Sequence, residues 1–154
     1  MAEAGPGTRK FRLAVDKLTP HLMEAFEQLD ELSEKVSLPL PLLELVRLRV
    51  SQINGCAYCV DSHNTDAREA EIPERHIAAL PVWRAAPFFS ERERAALELA
   101  EALTNMNNAP VTDEQWRSAA EHFSKVELAE LTWTVSVITV WNQIAGGARP
   151  WLIS

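Results

Sequence analysis

Cysteine is almost absent from this chain: its 154 residues include only two, too few for a disulfide framework. Positive charge is also short, with 15 Lys and Arg against 22 Asp and Glu, a formal net charge of −7 and no basic stripe. That balance excludes nucleic acid and an anionic membrane surface as partners, because both are held by clustered cations. Glycine-rich phosphate loops, a Ser-centred nucleophile elbow and an acid run with EF-hand spacing are missing, so no cofactor is expected. Long apolar runs are missing too. The most apolar late stretch, Val135 to Trp141, is broken by Ser136 and Thr139 and is too short to span a bilayer. Met1 to Asp16 lacks the apolar h-region of a signal peptide. The expectation is a cytoplasmic protein, and in a reducing compartment a close cysteine pair reads as redox chemistry or metal binding rather than a structural staple.

Strand alternation and hairpin dipeptides are absent as well, and what remains is helical punctuation. Ser90 with Glu93, Thr112 with Gln115 and Ser124 with Glu127 are three capping boxes, and they argue for an all-α chain. At 154 residues and 47% hydrophobic composition one core and one domain are expected. Residues 1–18 are irregular and left unassigned, with a loose tip and Phe11, Leu13, Val15 and Leu18 available to dock on a neighbour. The domain proper is placed at 19–154. Thr19 as cap and Pro20 at the first helical position open a helix whose apolar stripe is Leu22, Met23, Phe26, Leu29 and Leu32. Pro39 and Pro41 end it, and a helix from about Pro41 to Ile53 buries Leu42, Leu45, Val46 and Val50. The cysteine helix runs to about Glu71, and a shorter one follows, with His76 beside Arg75 on a solvated face and without a role. The last helix, about Lys125 to Ala145, is apolar almost all round, with Trp133, Val137, Val140, Trp141 and Ile144; Gly146 and Gly147 stop it. Such a helix is expected to be buried by its own core and by a second subunit.

Chemistry concentrates in Glu44 to His63, ELVRLRVSQINGCAYCVDSH. Residues three or four apart share a helix face, with Cβ atoms about 5 to 6 Å apart, so Cys56, Cys59 and His63 form a row and the two cysteines suit a disulfide. Asn54 and Gly55 mark a corner between two helices. Glu44 lies roughly 13 Å before that corner and His63 roughly 10 Å after it, at 1.5 Å per residue, so the two come level in an antiparallel hairpin. The bland alternative makes Glu44 an exposed ion-pair partner of Arg47, stabilising little.

The pattern Glu, eleven residues, C-x-x-C, three residues, His, in Glu44, Cys56, Cys59 and His63, resembles the signature of the AhpD-like alkylhydroperoxidase and carboxymuconolactone decarboxylase superfamily. The likeness runs from about Pro39 to Pro150 through WRAAPFFSERERAALELAEALT and EHFSKVELAELTWTVSVITVWNQIA. Where some members carry a second histidine between the cysteines, this chain has Tyr58, its only tyrosine. The resemblance implies an AhpD-like all-α domain of about six to seven helices, with the redox motif at the start of a central helix, assembled as a trimer or a dimer of trimers. It also implies a thiol peroxidase or disulfide reductase. His63 would act as base, with Glu44 orienting it or receiving the proton. Cys59 would attack the peroxide, and Cys56 would protonate the leaving alkoxide and then close the disulfide. A lipoyl-bearing or thioredoxin-like partner would reopen it. The helix dipole by itself favours Cys56 as nucleophile; the resemblance and the closeness of His63 favour Cys59.

Three other readings compete. Cys56, Cys59 and His63, completed by Asp61 or a second chain, are ligand types that zinc accepts, although three ligands on one short helix suit tetrahedral geometry poorly. A lactone decarboxylase of the same superfamily would lack the cysteine pair and would want more arginines than Arg47 and Arg49. A redox sensor would form the disulfide without turnover.

Overall fold

The computed structural model describes residues 11–153, and every regular element in them is helical. In order these are α1 (Val15–Leu18), α2 (Pro20–Ser33), α3 (Leu40–Asn54), α4 (Ala57–Glu69) and α5 (Glu74–Ala79), which runs on as a 3-10 segment over Leu80–Ala85. Then come α6 (Glu91–Thr104), α7 (Asp113–Ala120) and α8 (Lys125–Trp141), which continues as a π-helix over Asn142–Ala148. The all-α reading holds. The extra helix beyond the expected six to seven is the single turn α1, in the segment left unassigned. The loose tip expected for the first residues lies outside the described residues. Leu13 N–H donates to Ala148 O at 3.1 Å and Arg12 N–H to Arg149 O at 3.3 Å, tying this segment to the far end of the same chain.

All three capping boxes form: Ser90, Thr112 and Ser124 accept from the N3 amides of α6, α7 and α8, and the N3 side chains reach back. Each cap stabilises its helix by about 1 kcal/mol. Thr19 departs from its expected role. Its hydroxyl donates back to Val15 O at 2.8 Å, so α2 starts on Pro20 without a side-chain cap.

The helix buried on most sides is α3, not α8. Leu42, Leu43, Val46 and Val50 pack on Ala96, Leu99 and Ala100 of α6 and on Leu131, Val135 and Ile138 of α8. On its other flank Leu45 and Leu48 meet Ala67, Ile77, Leu80, Trp83 and Leu97. Truncating a leucine here to alanine would cost about 2–5 kcal/mol. A sequence stripe cannot show this, because Glu44, Arg47 and Ser51 are also buried, Glu44 against His63, Arg47 against Glu34 and Ser51 against Asn142. By contrast α8 exposes Trp133 (56%), Val126 and Val140, and α2 exposes Leu22, Leu29 and Leu32. Only Met23 and Phe26 of the α2 stripe turn inward, Phe26 stacking 4.8 Å from Trp141.

His76 is a further correction. It is 7% exposed and wedged between Phe88 and Phe89, with Nε2 3.1 Å from Phe88 O. Its charged neighbour Arg75 lies over the Phe88 ring. The turn that folds these phenylalanines back over α5 is a tertiary event, invisible to a local reading.

Candidate active site

The corner between α3 and α4 is made by Gly55, which takes φ +67° as the α3 C-cap, a left-handed conformation that favours glycine. Cys56 follows as the N-cap of α4, its Sγ accepting from Cys59 N–H at 3.3 Å. The two cysteines, 5.3 Å apart at Cα, are joined as a disulfide. The hairpin brings Glu44 level with His63: Oε2 lies 2.8 Å from Nδ1.

Glu44 is 3% exposed and Arg47 5%, so the exposed ion-pair reading is replaced by a buried array. Arg47 Nη1 donates to Glu44 Oε1 at 2.6 Å, and Nη2 lies 2.6 Å from Glu34 Oε1. Asp66 Oδ2 stands 3.4 Å from His63 Nδ1. Burial pushes the Glu44 carboxyl up, but His63 and Arg47 together outweigh it and hold the group below its ordinary value. Glu44 is therefore a carboxylate at neutral pH, His63 Nδ1–H donates to it, and Nε2 is left as the proton-accepting atom. Burial, reinforced by the Glu44 charge, raises Asp66 instead.

His63 and Cys59 line one pocket of about 770 Å³. Its apolar wall is Val137, Ile138, Trp141 and Ala145, from α8 and the π-helix, with Trp151; its rim is acidic. Cys56 is absent from the lining and wholly buried, whereas Cys59 keeps 4% exposure. The π-helix makes the difference. Asn142 ties it to α3, donating to Ser51 Oγ at 3.0 Å and accepting from Asn54 Nδ2 at 2.9 Å. Gly146 then rests on Cys56 so closely that a Cβ would meet the Cys56 Cβ at 3.3 Å. Gly146 and Gly147 thus lie within the π-helix rather than ending the helix, and the left-handed residue that closes it is Arg149, at φ 50°. Tyr58 also lines the pocket, stacked 5.5 Å from Trp151.

A cation would find Glu44, His63 and Asp66, whose ligand atoms lie within 4.8 Å of one another. This set contains no cysteine, unlike the zinc reading of the sequence, and Arg47 beside Glu44 opposes a metal there. Asp61 is exposed and lies outside the pocket lining. Sequence reasoning missed Glu34, Asp66, Asn142 and Trp151, and it read Trp141, which lines the pocket, as packing alone. Only Asp66 carried a local signal, being one helical turn beyond His63.

Residues 20–102, a span that includes Glu44, both cysteines and His63, match the model of the carboxymuconolactone decarboxylase family. The chain belongs to that family. YdfG of Bacillus subtilis, an uncharacterized protein, is 33% identical over 134 residues, covering 87% of this chain and 91% of its own length. A crystal structure of a protein of unknown function from Agrobacterium tumefaciens, proposed to be an antioxidant defence protein AhpD, superposes with a TM-score of 0.90. It is 32% identical and covers 94% of this chain and 99% of its own. The debrominase Bmp8 shares the fold alone, with a TM-score of 0.79 at 21% identity, covering 90% of this chain and 74% of its own. Membership of this family, with an AhpD-like fold and a closed cysteine pair beside a histidine, supports an oxidation–reduction function. Among the described residues no helix is long and apolar enough to cross a membrane.

Proposed function

We propose that this chain is a thiol-dependent hydroperoxide reductase, with Cys59 as the attacking sulfur, Cys56 as the resolving one, His63 as base and Glu44 as the group that orients His63 and stabilises the imidazolium formed on it. One observation carries the reading: of the two sulfurs, Cys59 faces the pocket that His63 also lines, and His63 is held by a buried, ionised Glu44. In the reduced state His63 Nε2 takes the Cys59 proton, and the imidazolium is stabilised by Glu44 at 2.8 Å. The thiolate attacks the terminal peroxide oxygen, the O–O bond breaks, and Cys59 becomes a sulfenic acid while an alkoxide leaves. His63 returns its proton to the alkoxide. This assignment replaces Cys56 as the donor, because Cys56 is sealed behind Cys59 and under Gly146. Cys56 then attacks the sulfenic sulfur, releasing water and closing the disulfide. Glu44, held below its ordinary value, acts as a fixed charge rather than a proton acceptor.

The apolar wall and the volume favour an organic hydroperoxide over hydrogen peroxide. A lipoyl-bearing or thioredoxin-like reductant in the cytoplasm would reopen the pair. The exposed Trp133 and Val140 on α8 support a homo-oligomer, a trimer or a dimer of trimers. Against a lactone decarboxylase, Arg47 is the arginine of the lining and is spent on Glu44 and Glu34, while Arg49 lies outside the lining and bonds Glu101 at 2.7 Å. A dicarboxylate would find little to hold it. The test is consumption of an organic hydroperoxide with dihydrolipoamide or thioredoxin as reductant, with free thiols followed under non-reducing conditions. Turnover that disappears in Cys59→Ser is expected. Disulfide formation without turnover would make the chain a sensor.

A further inference from the structure

We infer that the charge of this pocket selects the reductant, admitting neutral or cationic thiols to the disulfide and turning away anionic ones. The inference deepens the proposed function and rests on its reading of Cys56 and Cys59 as a pair that an external thiol reopens.

Access to the disulfide is one-sided. Cys56 is wholly buried, with Gly146 against its Cβ and Sγ, while Cys59 lines the pocket. A reductant therefore reaches the bond through the pocket and at Cys59 Sγ. The first thiolate attacks Cys59, the S–S bond breaks, and its electron pair goes to Cys56 Sγ. That sulfur sits at the N-terminus of α4 and accepts Cys59 N–H, which makes it a favourable leaving thiolate. A second thiol of the same dithiol attacks its own sulfur in the mixed disulfide and releases Cys59. The dithiol leaves as a cyclic disulfide, and its two protons end on the cysteines.

Every reductant that follows this route passes five lining carboxylates: Asp30, Glu34, Glu44, Asp66 and Glu69. One lining guanidinium faces them, that of Arg47, and it is buried between Glu44 and Glu34. His63 adds at most one positive charge, directed to Glu44. The excess is therefore negative, in a concave site with an apolar wall, where field lines are focused and screening is weakened. A hydroperoxide is neutral and enters without penalty. A thiol carrying a carboxylate is repelled before it can align with Cys59.

The test compares dihydrolipoamide with dihydrolipoate, which share one dithiol and differ in a terminal amide or carboxylate. Oxidised full-length chain is mixed with each under anaerobic conditions without peroxide, and disulfide opening is followed by acid quench and mass. At about 10 mM ionic strength the Debye length is about 30 Å, and dihydrolipoamide should react about tenfold faster. At 1 M, where that length is about 3 Å, the ratio should fall to within about twofold. Asp30→Asn with Glu69→Gln should narrow the low-salt ratio by speeding dihydrolipoate, which carries a carboxylate besides its attacking thiolate, more than dihydrolipoamide, which carries the thiolate alone. Equal rates at low salt, or a preference indifferent to both salt and these substitutions, overturn the inference. Since no peroxide is present, such a result leaves the peroxidase reading standing. Conversely, a charge preference in a chain without peroxide turnover supports the inference and sinks the peroxidase reading alone. Failure of both dithiols to open the pair overturns both.

Discussion

Glu44→Gln keeps the shape of the side chain and removes one negative charge from a position only 3% exposed. Arg47 then loses its buried partner at 2.6 Å, but keeps Glu34 at 2.6 Å on its other nitrogen. Breaking a fully buried pair costs about 3–5 kcal/mol. With Glu34 retained and the glutamine carbonyl still accepting from Nη1, about 2 kcal/mol is expected here, read as a lower urea midpoint. In the proposed mechanism the catalytic effect runs through His63. At an effective dielectric of about 20, unit charges about 4 Å apart attract by about 4 kcal/mol. The His63 side chain is 17% exposed and Asp66 remains 3.4 Å from Nδ1, so solvent and the second acid absorb much of that loss. A remainder of about 1–2 kcal/mol corresponds to roughly 5–30-fold in peroxide turnover. In a Cys56→Ser background, iodoacetamide labelling of Cys59 should move about one pH unit higher. His63→Gln removes the proposed base and should cost about a hundredfold. Glu69→Gln, an acid of the pocket lining outside the Glu44–His63 contact, should leave hydroperoxide turnover nearly unchanged when saturating dihydrolipoamide is the reductant. The assay is steady-state rate against pH, paired with the labelling curve. If Glu44→Gln is folded and neither curve moves, Glu44 serves only Arg47 and the relay ends at His63.

Glu101 offers an acid-stability test. Burial pushes its carboxyl up, but hydrogen bonds from Trp83, Arg84 and Arg49 outweigh this and lower it below the ordinary 4.5. With the folded value depressed, its contribution is complete above 4.5 and is lost as pH falls through the lowered value; Glu44 behaves alike. Urea midpoints from pH 7 to pH 3 should therefore fall less steeply for Glu101→Gln than for the parent, and parallel curves would contradict the linkage. Gly146→Ala should lower stability by about 1–2 kcal/mol in a thermal melt, since its Cβ would lie 3.3 Å from the Cys56 Cβ, whereas Gly147→Ala, with open space around it, should be close to neutral. Light scattering at micromolar concentration should give an oligomeric mass, and Trp133→Glu on the exposed face of α8 should reduce it; a monomer in the parent would refute the interface.

What the sequence determined by itself was everything that helical arithmetic reaches. The capping boxes at Ser90, Thr112 and Ser124, the corner at Gly55, the row of Cys56, Cys59 and His63, and the levelling of Glu44 with His63 all follow from spacing. A turn of 3.6 residues and a 1.5 Å rise act within about twenty residues, where the chain has few alternatives. Tertiary packing decided the rest, because it joins segments that no local period connects. The accessible sulfur is set by Gly146, which lies ninety residues beyond Cys56 and reaches it only because Asn142 bonds Ser51 and Asn54. Glu44 is buried because Arg47 is shared with Glu34 of the connection after α2. The acidic lining gathers from α2, α3, α4 and Glu34, and the apolar wall from α8, the π-helix and Trp151. His76 was misread for the same reason: its charged sequence neighbour was visible, and the phenylalanines that enclose it lie twelve and thirteen residues on, beyond a turn. Local hydrogen bonding wrote the motif; long-range burial chose which of its residues face the pocket.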